Sequence, residues 1–148
     1  MPEIIWLLEQ TVIAIHHRQI AEHGGGEGLR NEGLLASALA RPKNLLVYGH
    51  LHPDLADLAA AYAFGIAGDH PFVDGNIRTA LVAARTFLLL NGVNFEAGQD
   101  EKFLTFLQLA EGSLTEDELA DWMRKRSMMS KVCQLGTPTQ RTCSSQLT

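Results

Sequence analysis

A chain of 148 residues, 46% of them hydrophobic, has the size of one ordinary domain and enough apolar surface for a core, which excludes disorder throughout. Its formal charge is −5, and every Asp and Glu precedes Arg124, which argues against nonspecific binding of nucleic acid through phosphates. The two cysteines, Cys133 and Cys143, stand near the C-terminus, so the rest of the chain has neither a disulfide framework nor a thiolate zinc site.

Met1-Pro2-Glu3 lacks a basic n-region, and Glu9 interrupts the first apolar stretch, so no secretory signal is read there. No uncharged run reaches membrane-spanning length, and a soluble cytoplasmic protein is expected. Residues 3–22 predict a helix, with Ile4, Trp6, Leu7, Leu8, Val12, Ile13, Ile15 and Ile20 on a broad apolar face. The glycines of His23-Gly24-Gly25-Gly26-Glu27-Gly28 stop it and read as a flexible connector. Asn31 caps a short helix through about Ala40, which Arg41-Pro42 ends. Leu45-Leu46-Val47-Tyr48 before Gly49 reads as a short strand or hairpin arm. Asp54 caps a long helix to about Gly68, with Leu55, Leu58, Ala59, Tyr62 and Ile66 on one stripe.

After a polar loop, Asn76 to Asn91 predicts a helix of about 24 Å, apolar on nearly every side and so central to a bundle. Asn91-Gly92 caps its C-terminus. A further helix runs from about Asp100 to Ala110 on Phe103, Leu104, Phe106 and Leu107. The last begins at Thr115, where Thr115 and Glu118 form a capping box, and turns Leu119 and Trp122 inward. The fold class is therefore all-α, about six helices in a compact bundle, with one domain over 1–126. Residues 127–148, rich in Ser, Thr and Gln, read as a disordered or non-native tail.

The loop His70-Pro71-Phe72-Val73-Asp74-Gly75-Asn76-Ile77-Arg78-Thr79 carries the chemistry. It runs into a helix whose first turn has unpaired N–H groups and the positive end of the dipole. Gly75 lets an anion approach, and Arg78 adds a fork of donors for phosphate oxygens. Asp74 is a hard ligand of the type that shares Mg²⁺ with phosphates, and His70 is a residue type suited to accept a proton from a hydroxyl. Phe72 anchors the loop in the core. Taken singly, Asp74 is an N-cap, Gly75 a tight turn, Arg78 a solvated residue and His70 a loop histidine. The functional reading comes from their occurring together. His16-His17 cannot share a helical face, and His50 with His52 lacks a third ligand, so both pairs read as solvent-facing.

The motif His-Pro-Phe-x-Asp-Gly-Asn-x-Arg-Thr resembles the signature of the Fic/Doc family, its death-on-curing (Doc) toxin branch most of all. Arg30-Asn31-Glu32-Gly33-Leu34-Leu35, Leu55 to Tyr62, Thr79 to Gly92 and Leu109-Ala110-Glu111-Gly112 also look like family sequence, over roughly residues 5–126. The resemblance implies a helical fold with a small flap, at Lys43–His52, that aligns a target peptide by strand addition. It implies His70, Asn76 and Arg78 as catalytic residues, with His70 the base and Asn76 ordering the loop. It implies Asp74 as the Mg²⁺ ligand, and Gly75, Asn76 and Arg78 as the phosphate and nucleotide cradle. By the same resemblance, the reaction places phosphate from ATP on a hydroxyl of elongation factor Tu, and a separate small, Phd-like antitoxin is the partner.

Two positions depart from the family pattern. AMP-transferring Fic enzymes usually have glycine before the arginine and a second arginine three residues after it, where this chain has Ile77 and Leu81. Doc-type proteins usually have lysine at the first of these, so Ile77 removes a cation. Phosphate transfer is the first reading, with AMP transfer and a catalytically weakened binding protein as alternatives. Arg85 lies about 10 Å beyond Arg78 along the helix and reads as a poor replacement. No Ser/Thr-x-x-x-Glu-Gly/Asn inhibitory pattern is present in the sequence.

Overall fold

The computed structural model describes residues 4–49 and 53–129. In chain order they form α1 (Glu9–His23), α2 (Glu32–Tyr48), α3 (Leu55–Asp69), α4 (Asn76–Leu90), β1 (Val93–Phe95), α5 (Gln99–Glu111), α6 (Glu116–Lys125) and β2 (Ser127–Met129). The fold is all-α, with one antiparallel pair of three-residue strands in the order β1-β2. Among the described residues no helix is long and apolar enough to cross a membrane.

Side chains set several helix starts. Asn31 Oδ1 accepts from the Leu34 amide at 3.0 Å. Asp54 and Asp57 cap each other's amides at 2.9 and 3.0 Å, and Thr115 with Glu118 forms the expected capping box at 3.1 and 2.9 Å.

The sequence placed α4 at the centre, but α3 is the most buried helix. Its alanines at 56, 59, 60, 61, 63 and 67 are buried, and α3 packs on α2, α4, α5 and α6. Small residues let the backbones approach. A Cβ on Gly65 would stand 3.0 Å from Ala38 Cα of α2. Helix α4 packs on α1, α3, α5 and β1, and its last turn leaves Leu89 and Leu90 exposed.

Five local expectations change. The first helix begins at Glu9 rather than residue 3, because residues 4–8 are held as an extended arm. Ile5 exchanges hydrogen bonds with the Asn91 side chain at 2.8 and 3.0 Å, and the Leu7 amide donates to Tyr62 Oη at 3.0 Å. The second helix does not stop at Arg41-Pro42 but runs to Tyr48. Proline costs the bond to the carbonyl four residues back. Leu35, Ala38 and Pro42 nevertheless form one buried face, and Arg41 is fixed by Glu116 Oε1 at 2.6 Å and by the Phe64 ring at 4.5 Å. The same helix replaces the expected hairpin arm, so Lys43–Tyr48 of the anticipated flap is helical, while His50 and His52 lie outside the described residues.

The helix over 99–111 buries Phe106 as expected, but with Thr105 and Leu109, and leaves the expected Phe103 and Leu104 exposed. Finally, Ser127–Met129, assigned to the tail, pairs antiparallel with β1 in the register Phe95↔Ser127 to Val93↔Met129. Residues 130–148, with Cys133 and Cys143, lie outside the described residues.

Candidate functional site

The motif loop joins α3 to α4, and its shape is imposed from three sides. Asn76, buried in the first turn of α4, reaches back to Phe72: Oδ1 accepts from the Phe72 amide and Nδ2 donates to the Phe72 carbonyl, both at 3.0 Å. One side-chain amide thus satisfies both polar groups of a buried residue, which holds the loop as a closed turn. Phe72 is 1% exposed and acts as the expected anchor.

The second side is the glycine run, which is not a free connector. The Arg30 and Asn31 amides donate to the Pro71 carbonyl at 2.7 and 3.0 Å, the Val73 amide donates to the Gly28 carbonyl at 3.0 Å, and Leu29 pairs with Phe72 as an antiparallel bridge. Arg30 Nε and Nη2 donate to the His70 and Asp69 carbonyls at 2.8 and 3.0 Å. Residues 24–31 are therefore a strap over the motif. Glycine is needed where the strap touches Asp74, since Gly25 has φ +122° and a Cβ there would stand 2.9 Å from Asp74 Oδ2.

The third side is His16 of α1, which the sequence placed in solvent. It is 3% exposed, its ring lies on Phe72, and Nε2 is 2.8 Å from the Asp74 carbonyl oxygen. A carbonyl only accepts, so Nε2 carries the proton. Position alone was a signal for it, because His16 sits four residues from both Val12 and Ile20 on the buried stripe of α1. His17 is exposed, with Nδ1 3.4 Å from Glu27. Arg30 gave no comparable signal, as it lies in an exposed loop with no periodicity.

Within this frame His70 closes α3 in the left-handed conformation, at φ 52° and ψ 58°, and its side chain is exposed. That conformation is strained for a residue with a Cβ. Its carbonyl is held by Arg30 while its ring stays available. Asp74 Oδ1 accepts from the Gly75 amide at 2.9 Å and Oδ2 from the Gly26 amide at 3.3 Å, so Asp74 does not cap α4 from the N-cap position. That position is Gly75, at φ 73°, where a Cβ would meet Ile20 Cδ1 at 3.1 Å.

Because the cap has no side-chain acceptor, the first turn of α4 keeps its donors. Among the described residues the amides of Asn76, Ile77 and Arg78 meet no acceptor, and the ladder opens with the Thr79 amide donating to Gly75. Three convergent N–H groups at the positive end of a 15-residue helix suit an anion. Arg78 is exposed, with its guanidinium 5.4 Å from the Phe103 ring centroid. Ile77 and Leu81 are half-buried against the core.

Among the described residues no three His, Cys, Asp or Glu side chains converge on a metal position. The donor set still fits Mg²⁺ in its usual manner, through one carboxylate plus phosphate oxygens. Each Asp74 oxygen accepts one amide and retains a lone pair for an ion. The structure thus brings His70, Phe72, Asp74, Gly75, Asn76 and Arg78 together on one turn.

A model of the Fic/DOC family matches residues 6–88. The chain is 49% identical over 78 residues to a protein named Toxin Doc from Mycolicibacterium smegmatis, covering 52% of this chain and 59% of that protein, less than two thirds of its length. It is 31% identical over 116 residues to Protein kinase doc of Escherichia phage P1, covering 78% of this chain and 90% of that protein. The family match takes in His16, the glycine strap, the whole motif and most of α4, and on that ground the chain belongs to the Fic/DOC family.

Proposed function

We propose that this protein is a Doc-type toxin that transfers the terminal phosphate of ATP to a hydroxyl on a protein, with elongation factor Tu as the target and arrest of translation as the result. The observation that carries this reading is the open first turn of α4, set on the same short loop as the exposed His70 ring and the Asp74 carboxylate. The names of the two relatives support it: one is called a toxin and the other a protein kinase.

In this reading the amides of Asn76, Ile77 and Arg78, with the Arg78 guanidinium, hold phosphate oxygens and stabilise charge that builds during transfer. His70 takes the proton of the target hydroxyl. The hydroxyl oxygen bonds to the terminal phosphorus, the bond from that phosphorus to the bridging oxygen breaks, and ADP leaves with the electron pair. Asp74 would hold Mg²⁺, which supplies charge neutralisation on the phosphates when bound. Asn76 acts through the loop, by fixing Phe72. The activity is assigned to the helical unit through Arg126 together with the β1-β2 pair that closes it. A separate small antitoxin restrains it in the cytoplasm.

The test is incubation of the protein with Mg-ATP and a bacterial lysate. Label carried on the gamma phosphate should appear on one protein and vanish with His70→Asn, a variant that tolerates the left-handed backbone. Label that arrives only from the alpha phosphate would establish AMP transfer instead.

A further inference from the structure

A cleft of about 460 Å³ opens beside the motif, between α4 and the start of α5. Its walls include Ile77, Arg78, Leu81, Arg85, Lys102 and Phe103. Arg78 and Arg85 are seven residues apart on α4, which puts them on nearly the same face about 10 Å apart along the axis. Lys102 enters from α5. Among the described residues none of these three cations has a carboxylate partner, whereas Arg18, Arg41, Arg124 and Arg126 are all paired.

Two acids also line the cleft. Glu22 is held by Arg18 at 3.0 Å, and Asp100 sits in the first turn of α5, where the helix dipole favours its charge. Between the cations the α4 wall is apolar at Ile77 and Leu81, with Arg78 over the Phe103 ring, Arg85 about 10 Å further along the helix, and Lys102 facing them from α5.

We infer that this cleft seats the polyphosphate chain of a nucleoside polyphosphate, with Arg85 and Lys102 binding the phosphates that lie beyond the reach of the α4 amides. The inference rests on the phosphate reading of the α4 N-terminus proposed above. It gives Arg85 a role the sequence denied it. A rigid fork about 10 Å beyond Arg78 and a mobile ammonium from α5 suit several linked phosphates rather than a single one. Affinity then depends on phosphate number, and Arg85 and Lys102 set that dependence.

The test is calorimetry on the full chain with AMP, ADP, ATP and inorganic tripolyphosphate, for the parent, Arg85→Gln, Lys102→Gln and the double variant. The parent should bind ATP more tightly than ADP, and ADP more tightly than AMP. The double variant should lose about tenfold or more on ATP and tripolyphosphate, with AMP little changed. Unchanged melting temperatures and recovery by Arg85→Lys would show that charge is the cause. An unaltered affinity series in the double variant, or an equal loss on AMP, overturns the inference. If the parent also transfers phosphate in that case, the proposed function stands without it. Binding of tripolyphosphate through Arg85 and Lys102 with no transfer to any protein supports the cleft and removes the kinase reading. Binding of none of the four ligands removes both.

Discussion

The rings of His16 and Phe72 lie face to face, with centroids 3.9 Å apart and planes 6° from parallel. The same His16 donates from Nε2 to the Asp74 carbonyl at 2.8 Å, so one α1 side chain holds both the anchor and the acid of the motif. His16→Ala should destabilise the protein by about 2–4 kcal/mol, from the lost packing and the stranded carbonyl, as read by urea unfolding. His16→Phe keeps the ring and loses the donor. It should cost about 1–2 kcal/mol, and any transfer rate should fall with little change in ATP affinity.

Asn76→Ala leaves the Phe72 amide and carbonyl without partners in a buried turn. The expected loss is about 2–4 kcal/mol, since each stranded group costs about 1–3 kcal/mol less some relaxation. Hydrogen exchange at the Phe72 amide should rise sharply. An unchanged exchange rate would mean the turn is held by the strap alone.

Gly25→Ala tests the strap without substituting a motif residue. The new Cβ meets Asp74 Oδ2 at 2.9 Å from a backbone at φ +122°, so the strap must lift. We expect a loss of about 1–3 kcal/mol and weaker metal-dependent nucleotide binding, measured by calorimetry with and without Mg²⁺. Gly24→Ala controls for backbone strain, because its Cβ would meet nothing within 4 Å although its φ is also positive.

Ile77→Lys places a cation at the edge of the proposed phosphate site. Ile77 is half-buried, so the lysine must lay its stem along the wall and carry the ammonium outward. Gamma-phosphate transfer should increase several-fold. A variant with lower activity and an intact fold would show that Ile77 is used for packing against the ligand.

Acid stability depends on Arg124, which bonds Asp54 at 2.8 Å and Asp57 at 2.9 Å and also bonds Asp121. The Arg124 hydrogen bond lowers the Asp54 pKa from 3.8 to about 2, while burial raises that of Asp57. A lowered pKa contributes stability that is present above 3.8 and lost as pH falls through about 2. The raised Asp57 works the other way, weakening the fold above its own titration and relieving it below. Asp54→Asn keeps the cap on the Asp57 amide but not the charge. Its unfolding curve should therefore lose slope between pH 3.8 and about 2, where the parent keeps weakening.

The parts of the fold that were legible follow from local rules. Asn31, Asp54 and Thr115 announce their helices because capping needs only neighbours, and the burial of Phe72 follows from an aromatic residue in an otherwise polar loop. The misread parts depend on distant contacts. Pro42 signals a stop, but the buried face of α2 and the grip of Glu116 on Arg41 outweigh it. The glycines 24–28 look free until the carbonyls of the motif are placed opposite them. His16 looks polar in sequence, and only the Asp74 carbonyl makes its burial affordable. The β1-β2 pair joins three-residue segments too short to carry an alternating pattern.

That last pair has a practical consequence. The backbone of Ser127–Met129 covers one side of Val93–Phe95, the segment that follows directly after the helix carrying the proposed phosphate site. Cutting the chain after Arg126, where composition alone would trim it, would leave that side as a bare strand edge. Such an edge recruits whatever strand comes near, including its own copy in a second molecule. A shortened protein should therefore self-associate as its concentration rises, and an antitoxin or target assay performed on it would report the new edge along with the site.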